Sequence, residues 1–322
     1  MVFSHLTRHW LARRHYPLPS WLACIARSLR VLLFYRAHQA LLTLDVYRHF
    51  ITQVHDDVFH HLSHRNYLAK DLSLRERVRC VLVHYKFEEL MFDLAYKQAV
   101  YRDGGLVLWQ REANGSRFAI RLVMAERLNA EGDLTVVATV DGERLHRLSF
   151  SWVDHRFAGL PCPPVPSLSS SLAPFVARNQ GSRVDAAAGF AAFERAFPNN
   201  SPSFFCFAAL QGIAETLGME VVVAVKSHYQ CVHDPDDEKH FANAYDGFWQ
   251  TLGGEPMAGR GWCIALPLAL RPLSDMTAKH RKRAATRREH WRTISDATRL
   301  ALERHVAYVP RPCRRVEQDT NV

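Results

Sequence analysis

Apolar side chains recur at three- and four-residue spacing over most of residues 1–100, in SWLACIARSLRVLLFYRAHQALLTLDVYRHFITQV and again in SLRERVRCVLVHYKFEELMFDLAYKQAVY. That period predicts amphipathic helices. Asp103-Gly104-Gly105 ends it, and from residue 106 apolar and polar positions begin to alternate. Alternation predicts strands, because successive side chains of a strand point to opposite faces. Asn114-Gly115 and Asp141-Gly142 punctuate this stretch as hairpin turns, with Glu131-Gly132 as a third. Both residues of such turns need positive φ, which Asn, Asp and Gly tolerate. The result is an antiparallel meander.

Residues 159–174, GLPCPPVPSLSSSLAP, are rich in Pro and Ser and read as a loop. A short strand PFVARNQ and a helix DAAAGFAAFERAF follow. The next helix is NSPSFFCFAALQGIAETLG, with Ser201 as N-cap, Pro202 in its first turn and Gly218 as its stop. MEVVVAVKS is apolar almost without interruption, which predicts a central strand covered on both faces. EKHFANAYDGFWQTLGG reads as helix and GWCIALPL as strand. The meander therefore runs into a mixed sheet flanked by helices, an α+β architecture. The expected segments are a helical N-terminal region (1–102), a sheet domain (103–275) and a basic C-terminal helix and tail (276–322).

Charge changes this picture at one place. The net charge is +9, yet residues 271–322 alone carry 13 Lys or Arg against 6 Asp or Glu. The rest of the chain is nearly neutral. Within MTAKHRKRAATRREHWRTISD, Met276, Ala284, Trp291 and Ile294 form a narrow apolar stripe on a helical wheel. Lys279, Arg281, Lys282, Arg288 and Arg292 fall on the other sides, Arg283 borders the stripe and Arg287 lies inside it. Such a helix docks by its stripe and displays cations. Three partners fit the charge: water alone, an anionic lipid or envelope component, and nucleic acid. The last ranks lowest, since no groove-reading motif accompanies the cations. Near the N-terminus Arg27, Arg30 and Arg36 interrupt every apolar run before it reaches membrane-spanning length. That segment is a core helix with snorkelling arginines or an interfacial helix on anionic lipid. Seven scattered cysteines without a CxxC pair fit reduced thiols in a cytoplasmic protein, peripheral at most to the inner membrane.

Candidate chemistry gathers at the strand end SHYQCVHD. His228 there could act as a base near neutral pH. A zinc site from His228, Cys231 and His233 is disfavoured, because so short a loop rarely closes a tetrahedron without a distant ligand. His55, His60, His61 and His64 read as a solvated helix face. His84-Tyr85 reads as a half-buried pair. Arg178, Gln180 and Arg183 surround the start of a helix, where they could hold an anion.

Several segments together resemble the VirK/YbjX family of Gram-negative bacteria: His84-Tyr85, EGDL at 131–134, NQG at 179–181, LGMEVVVAVKSHYQ at 217–230, YDGFWQTLGG at 245–254, and LPL ahead of KHRKRAATRR at 279–288. That resemblance implies an envelope role linked to virulence and to tolerance of cationic antimicrobial peptides. Its activity is not established. Inside it, ALQGIAETLGMEVVVAVKS, ANAYDGFWQTLGGEP and WCIALPL are similar to the second half of the acyl-CoA-using acetyltransferase fold. This second resemblance implies CoA or acyl-CoA as cofactor, held near Gln180, Gly181 and Arg183. The usual phosphate-loop glycine spacing is missing from RNQGSRVDAAAG. The tyrosine that often serves as general acid aligns with Trp249, so Tyr245, one turn earlier, is the substitute.

Overall fold

The computed structural model describes residues 10–11, 17–51, 62, 65–125, 131–161, 169–182 and 186–307. His55, His60, His61, His64 and Arg183 lie outside the described residues. The N-terminal part is helical: α1 (Leu18–Leu32), α2 (Tyr35–Leu42), a π-helical turn (Val46–Ile51), α3 (Leu74–Met91) and α4 (Leu94–Tyr101). α3 opens with a reciprocal cap, in which the Ser73 hydroxyl accepts the Glu76 N–H and the Glu76 carboxylate accepts the Ser73 N–H. Asp93 caps α4 by accepting the Tyr96 N–H at 2.7 Å.

Eight strands form one sheet among the described residues: β1 (Leu106–Ala113), β2 (Ser116–Met124), β3 (Leu134–Val140), β4 (Glu143–Asp154), β5 (Leu172–Gly181), β6 (Val221–Val225), β7 (Glu255–Pro256) and β8 (Gly261–Ala265), in the order β1-β2-β3-β4-β5-β6-β8-β7. Only the β5–β6 pair is parallel. Asn114, Gly115, Asp141 and Gly142 all have positive φ, as the two expected hairpins require. Glu131-Gly132 is different. It leads directly into β3, and a Cβ on Gly132 would stand 2.8 Å from the Phe150 backbone nitrogen. This glycine serves a close approach to β4 rather than a hairpin tip.

The crossover from β5 to β6 is made by α6 (Ala187–Ala196) and α7 (Pro202–Thr216). Pro202 and Gly218 bound α7 as expected. Ser201 stands at the N-cap as expected, but its hydroxyl bonds the Ser203 hydroxyl at 2.6 Å and makes no bond to a first-turn amide. After β6 come α8 (Glu238–Ala242), a π-helical turn (Asn243–Gly247) and α9 (Phe248–Thr251). The short α5 (His155–Ala158) follows β4, and α10 (Ala278–Glu303) closes the fold.

Leu148 to Val153 of β4 and Leu172 to Ala177 of β5 are buried without a break. Since alternate residues face opposite sides, helices must cover both faces of the sheet there. α3 packs on β4 and α4 on β2; α6 and α7 pack on the central strands, with α10 against α7 and β1. One hydrophobic core runs from Leu41 to Leu302 and draws on all three expected segments. β6 sits between β5 and β8 with Val222 to Val225 buried.

α10 starts after Met276 and ends at Glu303, within the expected 276–322 segment. Its stripe continues through Ile294, Ser295, Thr298 and Leu302. Trp291 stacks on Phe204 and donates its indole N–H to Asn200 at 3.0 Å. No helix among the described residues is long and apolar enough to cross a membrane.

Candidate functional site

β5 departs from a regular strand in two ways. Ser149 of β4 pairs with Arg178 while Phe150 pairs with Val176, so Ala177 is an extra, bulged residue. On its other side β5 pairs with β6 only at Phe175↔Val223 and Val176↔Ala224. β6 stops at Val225, whereas β5 continues to Gly181. The last residues of β5 therefore have no strand along that edge.

The α8–π turn–α9 segment stands across this gap. Between them lies a cavity of about 560 Å³, lined by Asn179, Gln180 and Gly181 of β5, His146 of β4, and Phe241, Tyr245 and Phe248 opposite. A second cavity of about 760 Å³ shares Glu131, Gln180, Gly181, Ser182 and Val232 with the first and adds Arg144, Arg147 and Arg178. The two are parts of one groove around the end of β5, half aromatic and half cationic.

Asn179 organises the floor. Its Oδ1 meets His146 Nε2 at 2.8 Å, its Nδ2 donates to the Ala244 carbonyl at 2.9 Å, and its backbone N–H points to the Tyr245 hydroxyl at 3.4 Å. Burial pushes Tyr245 up to about 12 and His146 down to about 4, so the phenol keeps its proton and the imidazole stays neutral at pH 7. Beside them Glu131 is buried, ion-paired with Arg178 and bonded by the Gln230 amide. Gln230 in turn accepts the Val232 N–H at 2.6 Å, which fixes the loop after β6.

The profile of a family of proteins of unknown function, DUF535, matches residues 26–159 and 196–296. The chain belongs to the DUF535 family. A relative of similar sequence is the uncharacterized protein YbjX of Escherichia coli (strain K12), 23% identical over 233 residues. The match covers 70% of this chain and 66% of that relative, just under two thirds of its length. No solved structure matches. The two DUF535 blocks include His84, Glu131, His146, His228, Tyr245 and the cations of α10 through Arg292. β5 and α6 fall between them, so the strand that shapes the groove lies where the family profile is interrupted.

The expected site residues of this DUF535 chain separate into groups. Tyr245, Gln180 and Gly181 line the groove together. His228 does not. It is exposed on the turn Ser227–Tyr229, with its ring 4.1 Å from that of Tyr229. Arg178 faces Glu131 rather than an open anion site. Trp249 is buried and donates its indole N–H to the Val225 carbonyl at 3.0 Å. The π turn adds a residue's worth of rotation between Tyr245 and Trp249, which turns Tyr245 toward β5. Among the described residues no group of three His, Cys, Asp or Glu could hold a metal ion.

His84 and Tyr85 are fully buried, not half-buried, and face a different network. The Glu88 carboxylate accepts the Trp152 indole N–H at 2.6 Å and the Tyr101 hydroxyl at 2.8 Å. Asp133 accepts the hydroxyls of Tyr67, Tyr85 and Ser151. On α10, Arg281 donates to the Leu273 and Met276 carbonyls and Arg288 to that of Arg271, holding the connection from β8. Arg287 lies over the Trp291 ring, and Arg292 pairs with Glu289. Lys279, Lys282 and Arg283 are exposed.

Sequence reasoning missed His146, Asn179 as an organiser, and the aromatic wall of Phe241 and Phe248. A usable signal was present: NQG and SHYQ, two of the resembling segments, supply Asn179 and Gln230.

Proposed function

We propose that this DUF535 protein is an acyl-CoA-dependent acyltransferase whose donor lies along the unpaired end of β5. The observation that carries the reading is the bulge at Ala177 together with the early end of β6. A strand edge without a neighbour pairs with peptide-like chains through main-chain hydrogen bonds. The pantetheine arm of CoA carries two amides and matches such an edge. The thioester carbon would then stand near Tyr245. The acceptor's amine or hydroxyl attacks it, the C–S bond breaks with the leaving sulfur accepting a hydrogen bond from the Tyr245 phenol, and the acceptor's proton passes through water to the thiolate. A phenol held protonated by burial keeps the O–H that such a hydrogen bond needs.

Gln180 and Gly181 end the edge and, with Arg183 two residues on in the sequence, would hold the donor's phosphates. Arg147 bonds the Gln180 amide oxygen at 3.2 Å and Arg144 stands beside Ser182, so both add positive charge at that same end of the groove. The support for an envelope component as acceptor is the VirK/YbjX resemblance and its link to virulence and peptide tolerance.

Calorimetry with CoA and acetyl-CoA tests the reading. Micromolar binding is expected, weakened about tenfold or more by Arg183→Ala, the loss of one charge-assisted contact. Tyr245→Phe should keep CoA affinity within about twofold and lower transfer by roughly 100-fold, the scale of a lost hydrogen-bond donor to developing charge. Absence of CoA binding at high micromolar protein overturns the proposal. It would favour a second reading, a non-catalytic adaptor, supported by the exposed Lys279, Arg281, Lys282 and Arg283 on a helix already docked by its other face.

A further inference from the structure

α10 carries cations on the side by which it packs. Met276, His280, Ala284 and Arg287 recur at three- and four-residue spacing with Arg283 at their border, so they share the side that Ile294, Ser295, Thr298 and Leu302 bury further along. From Trp291 onward that side meets α7: Trp291 stacks on Phe204, and Ser295 and Thr298 lie against Gly212. Over the first turns it borders a cavity of about 490 Å³ instead, lined by His280, Arg283 and Arg287 together with Arg271, Asp275 and Asn199. Three arginines against one aspartate leave this cavity with two positive charges in excess. Arg271 is occupied in shaping the wall, donating to the Asp275 carbonyl at 2.7 Å, and the Asp275 carboxylate accepts the Ser274 hydroxyl at 2.9 Å. Arg283 has neither a hydrogen bond nor an ion pair among the described residues. Arg287 is half-buried, held 5.4 Å over the Trp291 ring, and its Nε is closed off from solvent without an acceptor.

The geometry points to a site for a phosphate monoester in this cavity, held by Arg283 and Arg287 and closed by Arg271, His280 and Asn199. A cation that has lost part of its water and gained no counter-charge is costly, and the Trp291 ring returns only a fraction of that loss. An anion in the cavity supplies the missing partner. Charge and shape select its class. A phosphate monoester carries about −1.5 to −2 at pH 7 and offers three acceptor oxygens. That matches the excess charge, and guanidinium forks pair with such oxygens two at a time. A carboxylate or a phosphodiester brings a single charge and leaves one arginine unmatched. The volume lies within the ~300–1,000 Å³ of small-molecule sites, so the group that bears the phosphate fits as well. The inference is independent of the acyltransferase reading, because it uses no residue of the β5 groove.

The test is calorimetry of the full chain at fixed ionic strength with inorganic phosphate and with glycerol 3-phosphate. Co-sedimentation runs beside it, with phosphatidylcholine vesicles that carry phosphatidic acid, a monoester, or phosphatidylglycerol, a diester, matched for surface charge. Arg283→Gln and Arg287→Gln should each weaken monoester binding by about tenfold or more, the loss of one charge-assisted contact. Arg283 is exposed, so its variant should melt as wild type does and its affinity reads the site rather than the fold. Arg299→Gln removes a cation near the other end of α10, paired there with Asp296 and Glu303, and should leave binding unchanged. One-to-one binding of both soluble monoesters without a vesicle preference assigns a free phosphorylated small molecule. Preference for phosphatidic acid over phosphatidylglycerol, lost in Arg283→Gln, assigns a lipid headgroup as the source of the same phosphate. No binding of the soluble monoesters at millimolar concentration, together with equal partition onto the two kinds of vesicle, overturns the inference. So does binding that Arg283→Gln leaves unchanged, or that Arg299→Gln weakens equally, since the attraction would then be the diffuse charge of the helix.

Discussion

Two buried groups at the residue scale give this protein opposed pH dependences. His146 is held neutral, with burial taking it from 6.5 to about 4. The unfolded chain therefore binds a proton between those values that the folded chain refuses. His146 should contribute full stability above pH 6.5 and lose it toward pH 4, roughly 3 kcal/mol for the whole shift. Urea unfolding of wild type and His146→Gln from pH 7.5 to 4 measures this, and the variant should show the shallower acid loss. Glu88 acts in the other direction. Burial raises its carboxyl despite donors from Trp152, Tyr101 and Tyr96. Its contribution is complete below the ordinary carboxylate range and falls as pH rises through the raised folded value. Glu88→Gln can keep an acceptor for Trp152 and offers Tyr101 a donor. Its stability relative to wild type should improve between pH 4 and pH 8. A wild-type-to-Gln difference constant over that range would contradict the buried, proton-favouring site. A third residue tests the sheet itself. Val223 is fully buried between β5 and β8, and Val223→Asp should cost about 3 kcal/mol or more in a thermal or urea melt.

Between elements, α7 and α10 approach closely because Gly212 has no side chain. A Cβ there would stand 2.5 Å from the Ser295 carbonyl oxygen and 3.0 Å from Thr298 Cβ. Alanine favours a helix over glycine by about 1 kcal/mol. Here the obstacle is backbone, which cannot swing away, and overpacking of this kind costs about 1–3 kcal/mol. Gly212→Ala should therefore lower the melting temperature, against the propensity trend. Gly189→Ala on α6 makes a useful contrast. Its nearest obstacles are methyl groups of Leu145 and Val140, both at 2.8 Å, and side-chain tips can move. The second substitution should be the milder of the two in the same melt.

For the whole molecule, the helical N-terminal region and the sheet are joined by polar groups that need each other. Tyr67 and Tyr85 satisfy Asp133, and Glu88 satisfies the Trp152 indole. A chain beginning at residue 103 would leave Asp133 only the Ser151 hydroxyl of its three hydroxyl donors and the Trp152 indole without Glu88, and a stranded buried polar group costs about 1–3 kcal/mol. Full-length protein should unfold in one transition, with tryptophan fluorescence and circular dichroism coincident. Residues 103–307 alone should show no cooperative melt. A sharp transition for that fragment would indicate that the sheet is an independent domain.

The sequence alone determined what depends on neighbours a few residues apart. Asn114-Gly115 and Asp141-Gly142 made two hairpins because both positions of each turn need positive φ. Pro202 and Gly218 bounded a helix, and the apolar stripe of α10 set which face docks. An uninterrupted apolar run, VVVAV, placed β6 inside the sheet. Tertiary structure decided where polar groups meet across long stretches of chain. His146 reaches Asn179 across 33 residues and Glu131 reaches Gln230 across 99, and no local pattern encodes either meeting. The bulge at Ala177 belongs to the pairing of β5 with β4, not to either strand by itself. His228, attractive in sequence at the end of a buried strand, turned outward because the following residues curl into a short 3₁₀ turn that sends Gln230 inward instead. Periodicity is a property of one segment; a groove is a property of several, fixed only when their packing closes around it.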